Sequence, residues 1–272
     1  MSVNFAGLTF SSSLSSPIAL LIAAFVETLV LSYFVVFSRF RGWEEWLVVF
    51  SVLYIGNYVL TSMEAFYLTS LLTANTVESI LVNGAIISGV FAFALVRLLT
   101  PKQMQNKMAS KRLAMSRREW AWKILASGAV YLLLFILVGF AIYGPIAAQL
   151  DHVAYVSEQA SIPASAAGLV FPLEFLRGIF WTILAIVVTV SLSFTWKKTA
   201  LVAGLLLAVP VSFSIFLSTT IVPALQVAHF VELFVENLMF GFAVVWILQL
   251  HSRLTALTSQ KTKTSVSVQS SS

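Results

Sequence analysis

The sequence predicts an all-α fold: a polytopic membrane bundle of seven transmembrane helices, with the N-terminus outside and the C-terminus in the cytoplasm. Three observations carry that expectation. Of 272 residues, 59% are hydrophobic and only 10% charged, whereas a soluble domain carries roughly a quarter charged residues. The apolar runs reach the length of about 20 residues that a helix needs to cross a bilayer. The basic residues fall in alternate connecting segments, as membrane topology requires.

The elements follow in order. Residues 1–16, ending in SSSLSS, read as a short extracytoplasmic tail without the basic n-region of a secretory signal. Seven apolar segments follow at about 17–37, 46–70, 78–99, 124–147, 169–194, 199–222 and 228–249. Each must be a helix, because every backbone polar group in hydrocarbon has to be bonded within its own segment. Gly139, Gly144, Pro145 and Pro210 are tolerated there, and Pro210, in mid-span, predicts a kink in the sixth helix. Together these segments make one membrane domain, 17–250, with no internal repeat.

Loop charges orient it. Arg39 and Arg41 follow the first span, Lys197 and Lys198 the fifth, and Arg253, Lys261 and Lys263 the seventh. The segment 100–123 is densest, with Lys102, Lys107, Lys111, Arg112, Arg117, Arg118 and Lys123. The intervening connections, such as LDHVAYVSEQASIPASAAG, have no Lys or Arg. Trp43, Trp46, Trp120, Trp122, Trp196 and Trp246 lie at the same, cytoplasmic ends, where interfacial Trp is favoured. The 100–123 loop is either an amphipathic surface helix, with Met104, Met108, Leu113 and Met115 as its apolar contacts, or a solvated connector. The polar tail, 251–272, reads as disordered and cytoplasmic.

The formal charge of +5 is therefore a topology signal rather than a nucleic-acid footprint. With no cysteine, disulfides, thiolate metal sites and cysteine nucleophiles are excluded. There is no phosphate-cradling GxxxxGK[ST], no GxSxG and no HExxH. Every Lys reads as belonging to a loop or tail, which closes the retinal option, and Glu44–Glu45 reads as a cytoplasmic loop pair. Arg97, at the inner end of the third span, reads as a snorkelling residue.

What remains is a set of charged interruptions: Glu27, Glu64, Glu174, Glu232, Glu236 and Arg177. Ionisable groups inside a membrane face the bundle interior, a partner or a water-filled cavity, and mark function by default. At about 1.5 Å of rise per residue, Glu64, Glu174, Arg177, Glu232 and Glu236 share the outer half, and Glu27 lies nearer the middle. Phase adds to depth. His229, Glu232 and Glu236 share one helical face, with Asn237 at its edge, and Glu174 and Arg177 stand three apart and can pair. Asn57, Thr61 and Glu64 mark a third stripe, and packing is expected to turn the three stripes toward one another.

Five glutamates against one arginine cannot all stay ionised without protons, water or cations. The structural alternative is that Arg177 satisfies one or two of them while the others sit wet near headgroups. The stretches FPLEFLRGIFW, WKKTALVAGLLL, VAHFVELFVENLMFGF and NYVLTSMEAFYL resemble a prokaryotic multi-pass membrane family of unknown function, over about half the chain. Glu64, Arg177, His229 and Glu232 carry the likeness. It implies the same architecture and a bacterial or archaeal cytoplasmic membrane, and supplies no substrate.

The reading taken is a non-enzymatic, transport-type protein with a proton- or cation-responsive site. Glu64, Glu174, Arg177, His229, Glu232 and Glu236 form it, with Glu27, Asn57 and Asn237 in secondary positions. Its expected partners are the lipid bilayer and a proton or small cation, with no cofactor and no nucleic acid. Two alternatives stand beside it. One is an intramembrane metal- or carboxylate-dependent enzyme using His229, Glu232 and Glu236; the other is a sensor or assembly factor centred on the 100–123 loop.

Overall fold

The computed structural model describes residues 2–5, 8–11, 17–68, 73–100, 115–150, 164–217 and 223–269. Side chains are described between residues 21 and 249 of these, apart from 64, 65, 68, 150, 164–167, 217 and 223. A short antiparallel pair, β1 (Ser2–Phe5) and β2 (Leu8–Ser11), precedes the bundle. Then come α1 (Pro17–Phe37), α2 (Trp43–Tyr54) and α3 (Thr61–Leu68), the last two joined by a π-helical segment, Ile55–Leu60. Next is α4 (Ala74–Leu99). After it, α5 (Arg117–Val138) continues through a second π-helical segment, Gly139–Tyr143, into α6 (Gly144–Ala147). The chain ends with α7 (Ala164–Ser191), α8 (Trp196–Ser214) and α9 (Pro223–Gln269).

Six stretches are long and apolar enough to cross a membrane: Trp43–Met63, Ala74–Leu99, Arg117–Ala147, Gly168–Ser191, Trp196–Ser214 and Ala224–Gln249. The described part of α1, Leu21–Phe37, is a shorter apolar helix beside them. Large apolar side chains stand exposed around the outside, among them Phe25, Ile86, Val90, Phe93 and Phe140. A water-facing surface would not carry such a belt, but hydrocarbon accepts it. The protein is a multi-pass, membrane-embedded helical bundle.

Most helices begin before the apolar run that signals them, and in α4 and α5 the added first turn is capped by a side chain. Ser116 Oγ accepts the Glu119 N–H, and the Ser-Arg-Arg-Glu order is that of a capping box, so α5 starts at Arg117. Thr73 Oγ1 likewise accepts from Thr76 N at the start of α4. Before α2 the chain turns at Gly42, whose φ of 63° is costly for any residue with a Cβ.

This extension corrects the expected loop charges: Lys197 and Lys198 lie in the first turn of α8, and Glu44 in that of α2. Lys123 is not a loop lysine: it lies in α5, fully buried, donating to the Leu248 carbonyl oxygen (2.9 Å) and pairing with Glu119 (2.9 Å). Glu45 is not a loop acid either. It sits buried in the first turn of α2, where Arg41 (3.2 Å) and the Thr100 hydroxyl (2.8 Å) meet its carboxylate. Arg97 is exposed in the last turn of α4, where snorkelling would place it.

Close packing depends on small residues, as membrane interfaces do. A Cβ on Gly241 of α9 would lie 2.3 Å from Gly204 Cα of α8, and one on Gly178 of α7 would lie 3.0 Å from Gly128 Cα of α5. Pro210 sits inside α8, where its ring denies the Leu206 carbonyl an N–H partner. The backbone of α9 is helical as far as Gln269, through most of the polar stretch where composition predicts disorder. Residues 101–114, carrying most of the basic loop, and 151–163, with His152, lie outside the described residues.

Candidate functional site

The described candidate residues include contacts beside each π-helical segment. One set spans α7 and α9, which touch one another. In α7, Arg177 Nη1 donates to both carboxylate oxygens of Glu174, at 2.8 and 2.9 Å, with both residues buried. The three-residue spacing makes that contact almost unavoidable on a helix. The charges cancel where neither could be hydrated.

In α9, His229 Nδ1 and Glu232 Oε2 are 2.6 Å apart, again three residues along one face. The His229 side chain keeps 18% of its surface exposed and that of Glu232 only 6%. The second π-helical segment closes on this pair from the neighbouring helix. The Tyr143 ring stacks at a tilt on His229, 5.0 Å between centroids. At its other end, a Cβ on Gly139 would come within 3.1 Å of Glu232 Oε1, so only glycine leaves that oxygen its present place. One turn further along α9, Glu236 and Asn237 are buried, and Asn237 Nδ2 donates to the Leu233 carbonyl oxygen.

The other contact is that of Glu27. Asn57, in the first π-helical segment, donates from Nδ2 to Glu27 Oε1 of α1 at 3.4 Å. Both line a cavity of about 360 Å³ between α1, α2 with its π-helical segment, α4 and α8. None of Glu174, Arg177, His229, Glu232 or Glu236 is in its lining. Asn57 turns to Glu27, Glu174 pairs with Arg177 and His229 with Glu232; α7, which carries Glu174 and Arg177, touches both α3 and α9.

The first π-helical segment alters the phase of the Asn57–Thr61 stripe. It accommodates an extra residue within a helical turn, so a face read at 3.6 residues per turn does not continue through it. Thr61, which shares the predicted stripe with Asn57, instead returns its hydroxyl to the Gly56 carbonyl oxygen (3.2 Å), five residues back. Glu64 belongs to α3, and its side chain lies outside the described residues.

Sequence reasoning overlooked Gly139 and Tyr143 as neighbours of the His229–Glu232 pair, and Ser88 and Tyr58 as cavity residues. The one signal for the former was the cluster Gly139, Gly144, Pro145 near the end of an apolar run. Among the described residues, no three His, Asp or Glu side chains come together as a metal ion would require, so His229, Glu232 and Glu236 do not form a ligand set. No protein-family model, curated protein or solved structure matches the chain. What the fold defines is therefore a class: a multi-pass membrane bundle with buried charged and polar side chains.

Proposed function

We propose that the chain is a transport-type protein that crosses a prokaryotic cytoplasmic membrane seven times, N-terminus outside and C-terminus inside. Its outer half binds a proton or a small cation. The observation that carries this reading is the His229–Glu232 contact, 2.6 Å long and nearly buried, against the π-helical turn of the neighbouring helix. Histidine is the side chain whose ordinary titration lies nearest neutrality. A carboxylate held against it completes a pair that can take up a proton or a small cation. Glu174, by contrast, is held by a guanidinium that does not titrate, so that pair acts as a fixed element.

Glu236 and Glu64, on the same helical faces or at the same depth by sequence, extend the site along the transport direction. Break points in helices, here the π-helical segment at Gly139–Tyr143, are where such bundles accommodate movement. The orientation is supported by the alternation of basic connections, and the prokaryotic membrane by the resemblance alone.

The test is infrared difference spectroscopy of the purified protein between about pH 5 and pH 8. A carboxyl band that appears on acidification is expected, absent in Glu232→Gln and displaced along the pH axis in His229→Gln. Wild-type difference spectra in both variants would remove the basis of the reading.

A further inference from the structure

The cavity beside Glu27 carries a chemistry of its own. Its polar lining is made by Glu27, Thr28, Asn57, Ser88 and Ser214. Asn57 Nδ2 is engaged by Glu27, which leaves Asn57 Oδ1 as an acceptor. Among the described residues, neither that oxygen nor Ser88 Oγ has a hydrogen-bond partner; both atoms are buried, and Ser88 is only 2% exposed. Buried polar atoms are rarely left so. The lining contains no Lys, Arg or His to neutralise Glu27. The opposite wall is apolar and aromatic, with Phe91, Phe213 and Pro210, and Tyr58 lies between the two.

The mouth also has a direction. Ala24 and Ile87 line the cavity yet are exposed, Ile87 by 57%. They sit among the exposed apolar side chains of α1 and α4, such as Phe25, Leu29, Ile86 and Val90. That belt is the lipid-facing surface, so the cavity opens sideways into the bilayer.

We propose that this cavity is a binding site for an amphipathic organic ammonium, a protonated primary amine with an apolar tail, that enters from the membrane. An ammonium has three N–H donors, and the Glu27 carboxylate in the lining offers it a charged acceptor, while Asn57 Oδ1 and Ser88 Oγ lie buried in the wall behind. The aromatic faces favour a cation and bury the carbon chain. An anion meets Glu27 with nothing basic to offset it. A bare metal cation meets too few oxygens and too much hydrocarbon. The volume of about 360 Å³ suits a small ligand. This site is independent of the His229–Glu232 reading and stands or falls separately.

The experiment is a binding titration of the protein in nanodiscs with octylammonium, with octanol and octanoate as chain-matched probes and empty nanodiscs to subtract partitioning. Saturable octylammonium binding is expected, at least tenfold tighter than octanol, with octanoate unbound. Glu27→Gln is expected to weaken octylammonium at least tenfold, and Ile87→Trp, which fills the mouth from the lipid side, to abolish saturation. Equal binding of octanol, or wild-type affinity in both variants, overturns the proposal. Should Glu27→Gln fail to fold, Ile87→Trp decides alone.

Discussion

Gly241→Ala adds one methyl group, and the structure says where it goes. The new Cβ would stand 2.3 Å from Gly204 Cα and 2.5 Å from Gly204 N. Carbon atoms in ordinary contact are about 3.5–4.0 Å apart, so α8 and α9 must part locally by about 1.2–1.7 Å. Nothing can rotate away, because the obstructing atoms are backbone. α8 with α9 is also the most extensive helix pair in the bundle, so the gap loosens many other contacts. Overpacking in a core costs about 1–3 kcal/mol, and a backbone clash belongs at the upper end. Against that, alanine regains up to about 1 kcal/mol of helix propensity. The expected net loss is therefore about 2 kcal/mol. It can be read from SDS-induced unfolding in mixed micelles by circular dichroism. Gly168→Ala is the matched control, since a Cβ there meets nothing within 4 Å; it should be neutral or slightly stabilising. Equal unfolding of the two variants would refute the close-packing argument.

Two further outcomes follow from the buried ion pairs. Arg177→Met alone leaves the Glu174 carboxylate buried without its guanidinium, a loss of about 3–5 kcal/mol. The double variant Glu174→Gln/Arg177→Met should recover most of it in the same unfolding assay; additive losses would show that the pair is not a unit. Lys123→Ala removes both the partner of Glu119 and the donor to the Leu248 carbonyl oxygen, and about 3 kcal/mol is expected. Lys123→Met should lose less, because it keeps the packing of the aliphatic stem. A change under about 0.5 kcal/mol in Lys123→Ala, typical of a surface residue, would contradict its burial.

Local spacing was legible where both partners fell inside one predicted span. Glu174 with Arg177 and His229 with Glu232 are each three residues apart, and both contacts are present. Contacts between helices were not. Lys123 and Glu45 look like loop charges because they border apolar runs, and only the extra polar turns of α5 and α2 draw them inside. The amide partner of Glu27 is thirty residues away on another helix, a contact that no local spacing announces.

By itself, the sequence determined that this chain belongs in a membrane as a bundle of apolar helices, since hydrocarbon leaves the backbone no other way to satisfy its polar groups. It also determined which charged residues interrupt those helices. Tertiary structure alone decided how they group. Packing at Gly204–Gly241 and Gly128–Gly178 sets which helices meet. The π-helical segments at Ile55–Leu60 and Gly139–Tyr143 set which faces they present. Neither is encoded in a local period: a π-helical segment breaks the 3.6-residue repeat on which any reading of helical faces depends. That is why the partner of Glu27 and the cavity beside it, which lie between helices, are a matter of tertiary structure.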